Sequence, residues 1–207
     1  WCYVGRRQLQ RAQRLWQDKY PGNTDSFTVQ YHPYQLNPDA PRGPGHSKDK
    51  QTMYREKFGA ERTAMMQSRL TGVGEQLGIN FKYGGKTGNT RDSHRLVNLS
   101  KQFGNDVELK TVDGLFAAYF ENEQDITDHA TLKAVAESAG IPGADFQRAI
   151  VDSDEGGSEV DRAALEARMG GVQGVPDYVI QDKFRINGGQ DASVFVEAFE
   201  RVKKLEG

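Results

Sequence analysis

The spacing of apolar residues changes character several times along this chain, and the order of those changes restricts the fold more than any single motif. From Cys2 to Tyr20, Val4, Leu9, Ala12 and Trp16 fall near helical spacing, with Arg6, Arg7, Arg11 and Arg14 elsewhere. Pro21-Gly22-Asn23 stops this helix. In Ser26–His32, Phe27, Val29 and Tyr31 alternate with polar residues, which predicts a strand. Residues 33–48 hold Pro33, Pro38, Pro41 and Pro44 with Gly43 and Gly45, a long irregular loop and the best boundary in the sequence. From about 48 to 170 the pattern is helical almost throughout. Leu109, Val112, Leu115, Phe116, Tyr119 and Phe120 keep 3–4 spacing, and Leu132, Val135 and Ala136 continue it. The period then returns to two. Asp177–Ile180 and Phe184–Ile186 read as strands around a Gln181-Asp182 turn. Val194, Phe195, Ala198, Phe199, Val202 and Leu205 make the face of a closing amphipathic helix.

With 207 residues the chain suits one domain carrying a large insertion. The expected division is 1–45 and 171–207 as two parts of one α/β domain, with 46–170 as a helical insertion. No stretch approaches the roughly 18–20 apolar residues of a membrane span. Lys and Arg number 27 against 29 Asp and Glu, a net charge of −2, so nothing draws the chain as a whole to nucleic acid or anionic lipid. One cysteine excludes an internal disulfide framework and a multi-cysteine zinc site. The first residue is Trp1 and not Met, so the chain reads as processed or truncated.

Few residues carry chemistry. Cys2 opens the first helix, where the dipole and unpaired backbone N–H groups favour a thiolate, and Arg6 and Arg7 one turn on add positive potential. The alternative is a small buried hydrophobe. Gly174-Val175-Pro176 immediately precedes a strand, where proline is cis or simply an ordinary trans strand opener. Asn89-Thr90 can cap a helix through Leu96, Leu99 and Phe103 that ends at Gly104, leaving His94 as a solvated residue one turn in. Gly85-Lys86-Thr87 lacks the glycine a phosphate loop requires, Asn80 standing in its place. Asp152–Gly157 opens like a calcium loop but has Ala163 at the twelfth position, and the acidic run to Asp161 reads as solvated. The four histidines have no metal-ligand spacing, so no metal is expected.

Without the helical block the order is α-β-β-β-α. A thioredoxin fold has the order β-α-β, a connection, then β-β-α, and its first strand would lie immediately upstream of Trp1. Trp1-Cys2-Tyr3-Val4-Gly5-Arg6-Arg7 resembles the second half of the Cys-Pro-Trp-Cys-Tyr-x-Gly-Lys-Arg motif of the DsbA-like thioredoxin superfamily, in its FrnE-like branch. The resemblance runs on through Tyr31-His32-Pro33-Tyr34-Gln35-Leu36-Asn37-Pro38, Asn89-Thr90 with His94-Arg95-Leu96, Gly171–Pro176 and Ile186-Asn187-Gly188-Gly189-Gln190. It implies a thioredoxin-like α/β fold with a large all-helical insertion and thiol–disulfide oxidoreductase activity. Cys2 then takes the resolving position beside Trp1, and Val175 and Pro176 form the substrate-facing cis-proline pair. Asn89, His94 and Gln35 are the implied substrate-binding residues. The implied partners are protein or small-molecule disulfides in the cytoplasm, with glutathione a candidate co-substrate, no bound cofactor, and a homodimer compatible with the helical block. The alternatives in the same cleft are a glutathione-dependent isomerase or transferase, related to 2-hydroxychromene-2-carboxylate isomerase and the kappa glutathione transferases, and a redox-inactive peptide-binding module.

Overall fold

The computed structural model describes residues 1–43 and 45–206; Pro44, one of the prolines of the long loop, and Gly207 lie outside the described residues. Helix α1 (Cys2–Lys19) is followed by an extended segment and the proline-rich loop, and then by the helical block. That block contains α2 (Lys50–Phe58), α3 (Ala60–Gln76), α4 (Arg91–Ser100), α5 (Asn105–Phe120), α6 (His129–Ala139), α7 (Gly143–Phe146) and α8 (Gly157–Met169). A 3-10 turn extends α4 to Phe103, and a π turn over Gln147–Val151 extends α7. The chain closes with two strands and helix α9 (Ala192–Glu206).

Three apolar clusters hold these elements. Leu96, Leu99, Leu115, Leu132, Val135 and Phe146 build the core of the helical block. Leu9, Ala12 and Trp16 of α1 pack on Phe195, Ala198 and Phe199 of α9 and on Ile186 in the second cluster. Tyr3 and Val4 join Ile79 and Phe81 in the third, which ties the first turn of α1 to the block. The amphipathic patterns of α1 and α9 therefore locate buried faces, except that Val194 and Leu205 are exposed and Arg6 is buried. Arg6 turns inward because Asp113 of α5 meets it with two hydrogen bonds of 2.8 and 2.9 Å.

The block is not helical throughout. Two short strands, β1 (Lys48–Asp49) and β2 (Lys86–Thr87), pair antiparallel at the base of the α2–α3 arm, and irregular chain follows α3. Lys50 secures that base by donating to the Tyr119 carbonyl at 3.0 Å. The final hairpin follows the expected pattern: β3 (Asp177–Ile180) and β4 (Phe184–Asn187) pair antiparallel, Tyr178 opposite Ile186. Gln181 and Asp182 both take positive φ in the turn.

The strand expected over 26–32 is a correction. Residues in this segment alternate between partly buried and exposed, but no strand pairs with it among the described residues. A strand requires a neighbour for its N–H and C=O groups. Here side chains supply those bonds: Glu108 accepts from the Tyr31 N–H at 2.7 Å, Lys101 donates to the Tyr31 carbonyl, and Asn105 donates to that of Val29. Phe27 and Val29 still reach the cluster shared by Tyr178 and Ile180. Among the described residues no helix is long and apolar enough to cross a membrane.

Candidate active site

The first turn of α1 is gripped from two directions. The Gly5 N–H donates to the Trp1 carbonyl at 2.9 Å, and the Pro176 ring and Tyr178 hydroxyl lie directly against Gly5. A β-carbon at position 5 would sit 2.9 Å from Pro176 Cγ and overlap Tyr178 Oη, so only glycine allows this approach. On another side Gly189, after β4, comes up against the Trp1 carbonyl and Val4. The Val175–Pro176 peptide is cis, and the Pro176 carbonyl accepts from the Gly188 N–H at 2.7 Å. Cys2, a half-buried free thiol, thus starts a helix that the Pro176 loop touches one turn along.

The electrostatics reverse the expectation of an acidified thiol. Burial pushes the Cys2 thiol up, opposed only in part by its own backbone N–H. The two arginines expected to help are committed elsewhere. Arg6 is held by Asp113, and Arg7 lies over the Tyr3 ring at 5.1 Å and donates to the Tyr3 hydroxyl. Two tyrosines near the sulfur were not singled out by the sequence. Burial raises the pKa of both Tyr31 and Tyr178; each also feels Cys2 and Arg6, and Tyr178 feels Tyr31. Neither hydroxyl has a hydrogen-bond partner among the described residues.

Asn89, His94 and Gln35 assemble at a different place, between the proline-rich loop, α4 and α8. Asn89 donates to the Ala40 carbonyl at 2.7 Å and accepts from the Arg91 N–H at 2.9 Å. Gln35 donates to Asp161 at 3.1 Å. His94 is not solvated: burial pushes it down to about 4, against a hydrogen bond to the Tyr34 backbone that favours protonation. It is enclosed because α4 lies under the loop that carries Tyr34. The Tyr34 hydroxyl in turn donates to the Val172 carbonyl at 3.2 Å, so this cluster meets the loop leading to Pro176. No direct contact joins Asn89, His94 or Gln35 to Cys2 among the described residues.

The acidic run is likewise less free than expected. Arg91 pairs with both Asp154 and Asp161. Its hydrogen bond holds the Asp154 carboxyl low; Asp161, which burial would raise, is brought down by Arg91 and Gln35. No metal-binding cluster of His, Cys, Asp and Glu occurs among the described residues.

The chain as a whole has a counterpart among known proteins. Residues 1–200 match the sequence model of the DSBA-like thioredoxin domain. The chain belongs to the DsbA-like thioredoxin family. Its fold is also similar to the crystal structure of a probable DsbA oxidoreductase from Streptomyces coelicolor. The TM-score is 0.82 at 25% identity, over 97% of this chain and 84% of that one. No match was found among curated protein sequences. The DsbA-like fold explains the order of elements: α1 and the β3–β4–α9 unit share one core, and the helices between them form the insertion. Sequence reading singled out Cys2 and Pro176, whereas Gly5, Tyr31 and Tyr178 come forward only from their packing around this turn. A glycine inside an otherwise good helix was the one signal available, since such a residue often marks a close approach.

Proposed function

We propose that this chain acts as a thiol–disulfide oxidoreductase of the FrnE type, with Cys2 as the resolving thiol. The observation that carries the reading is the contact of Pro176 and Tyr178 with Gly5, which sets the loop of Val175 beside the cysteine-bearing turn. A resolving thiol does not need a low pKa. It attacks only after a mixed disulfide has formed next to it, where its effective concentration is high. A buried thiol that stays protonated until then suits this role. The exchange requires a second thiol. In a Cys-x-x-Cys arrangement it stands three positions before Cys2, and its thiolate attacks the substrate disulfide. That attack expels one substrate sulfur as a thiolate and leaves the other in a mixed disulfide. Cys2, its proton passing to the expelled thiolate, then attacks the protein sulfur of that bond and releases the second substrate thiolate, so the substrate is reduced as the protein is oxidised. The same steps in reverse oxidise a dithiol.

Protein disulfides and small disulfides, glutathione included, are the proposed substrates, and the proposed compartment is the cytoplasm. Val175 presents its backbone to the substrate, Trp1 forms the exposed lip of the site, and Asn89, His94 and Gln35 support the loop from beneath. The test is disulfide exchange with a dithiol peptide by the complete natural protein and its Cys2→Ser variant. The expected result is loss of turnover in the variant with accumulation of a mixed disulfide. Full turnover in the variant would overturn the assignment. Glutathione binding without any exchange would favour the isomerase or transferase reading.

A further inference from the structure

The outward face of α1 carries more positive than negative charge. The helix holds Arg6, Arg7, Arg11, Arg14 and Lys19 but a single acid, Asp18. Asp113 neutralises Arg6, and Glu200 neutralises Lys19. The remaining three arginines stand at i, i+4 and i+7, so they share one face and span roughly 10 Å of helix axis. None of the three has a carboxylate hydrogen-bonded to it among the described residues. Arg11 acts only at a distance, on Asp191, which the Ser193 N–H and hydroxyl already hold low.

Arg7 is the informative member. Its guanidinium donates to neutral acceptors, Gln10 Oε1 at 3.2 Å and the Tyr3 hydroxyl at 2.9 Å, and lies over the Tyr3 ring. Its Nε is buried without a partner, and no other described side chain has such an atom. The Tyr3 hydroxyl and the Gln10 carboxamide donate onward to Glu121 and Asp113, so Arg7 reaches carboxylates only through neutral groups and has none bonded to it directly. Two open hollows meet at this stripe and share Arg7, Gln10 and Arg14. One, of about 490 Å³, extends to Arg11, Leu15 and Leu77 and is bounded at its far end by Asp18, four residues beyond Arg14. The other, of about 620 Å³, extends to Gln13, Gln17 and Phe27. Asp25 at its edge is already occupied by Lys203 and the Trp16 indole.

We propose that this face binds an extended acidic peptide segment, with carboxylates on alternate residues pairing to Arg7, Arg11 and Arg14. Alternate side chains of an extended chain repeat at roughly 6.6 Å, close to the roughly 6 Å of axis between Arg7 and Arg11. Guanidinium groups meet carboxylates in two-point contacts, which a lysine stripe would not provide. The glutamine carboxamides, which both donate and accept, match the backbone of such a segment, and Leu15, Leu77 and Phe27 form walls for its spacer residues. The face lies opposite the one α1 buries through Leu9, Ala12 and Trp16, so the binding is separable from chemistry at Cys2.

The test is fluorescence anisotropy with a dye-labelled Glu-Gly-Glu-Gly-Glu-Gly-Glu peptide and its glutamine and lysine counterparts. The acidic peptide is expected to bind, and to weaken at least tenfold as sodium chloride rises from about 0.05 to about 0.5 M. The Arg11→Gln/Arg14→Gln double variant changes only exposed side chains, so its circular dichroism should match the parent while binding falls about tenfold. Arg7→Lys keeps the charge but loses the two-point geometry and should weaken binding several-fold. Equal binding of the glutamine peptide, unchanged binding by the double variant, or no binding would each overturn the proposal. So would displacement by an equal concentration of inorganic phosphate. A single-stranded oligonucleotide of equal charge binding tenfold more tightly would overturn it in favour of nucleic acid.

Discussion

The seam between α4 and α8 and the first turn of α1 are both partly buried and both polar, yet they are finished differently. At the seam, Arg95 donates to the carbonyls of Ala149, Ile150, Ser153 and Glu155 and to Asp92, while Arg91 spans Asp154 and Asp161. The π turn after α7 and the loop beyond it present these carbonyls, and Arg95 collects them. At the α1 turn the Cys2 thiol and the Tyr31 and Tyr178 hydroxyls stand close together without such partners. Polar groups that satisfy one another fix a scaffold, whereas polar groups left open are available to a visitor. The contrast separates a seam whose polar groups are closed on one another from a turn whose polar groups are left open.

Several measurements would break or sharpen that contrast. Arg95→Leu should have the largest effect, a loss of about 3–5 kcal/mol in urea denaturation, because four carbonyls each lose a charged donor and Asp92 loses its guanidinium partner. A loss under about 1 kcal/mol would mean the seam is not the clamp described. Next comes His94, whose folded-state pKa of about 4 lies below its ordinary 6.5. Below pH 6.5 the unfolded chain takes up a proton that the folded chain refuses until about pH 4. Stability present above pH 6.5 should therefore fall toward pH 4, by roughly 3 kcal/mol, and level off below. His94→Gln should flatten that slope; an unchanged slope would place the titration elsewhere.

The α1 turn should respond to shape more than to polarity. Gly5→Ala should cost roughly 1–3 kcal/mol through overlap with Tyr178 Oη and Pro176, and adding Tyr178→Phe should recover part of it. Equal loss in single and double variants would show that the hydroxyl is not the obstacle. Tyr178→Phe alone should be the smallest change, under about 1 kcal/mol by thermal unfolding, since the hydroxyl gives up no hydrogen bond.

The same contrast marks what could be read from the sequence. Helices α1 and α9 and the β3–β4 hairpin were legible because apolar periodicity and the Gln181-Asp182 turn are local signals. The segment over 26–32 alternates as a strand does, yet alternation reports which side is buried and not whether a neighbour is present to pair with. Arg6 and His94 were misjudged for one reason: their partners, Asp113 and the Tyr34 backbone, lie 107 and 60 positions away, and nothing local announces them. Cys2 and Pro176 were singled out through ordered motifs spread along the chain. Gly5 and Tyr178, which bring those two together, emerged only from the packing.

The central claim is that Cys2 exchanges disulfides in the cleft bounded by the Pro176 loop. It is tested most directly by equilibrating the complete natural protein in glutathione redox buffers, quenching free thiols by alkylation, and reading intact mass for the parent and Cys2→Ser. The account predicts a two-electron couple in the parent, seen as an internal disulfide that blocks alkylation of Cys2. In Cys2→Ser that couple should be absent, with a glutathione adduct in its place. A Cys2 thiol that remains free and alkylatable across the whole redox range would contradict the account.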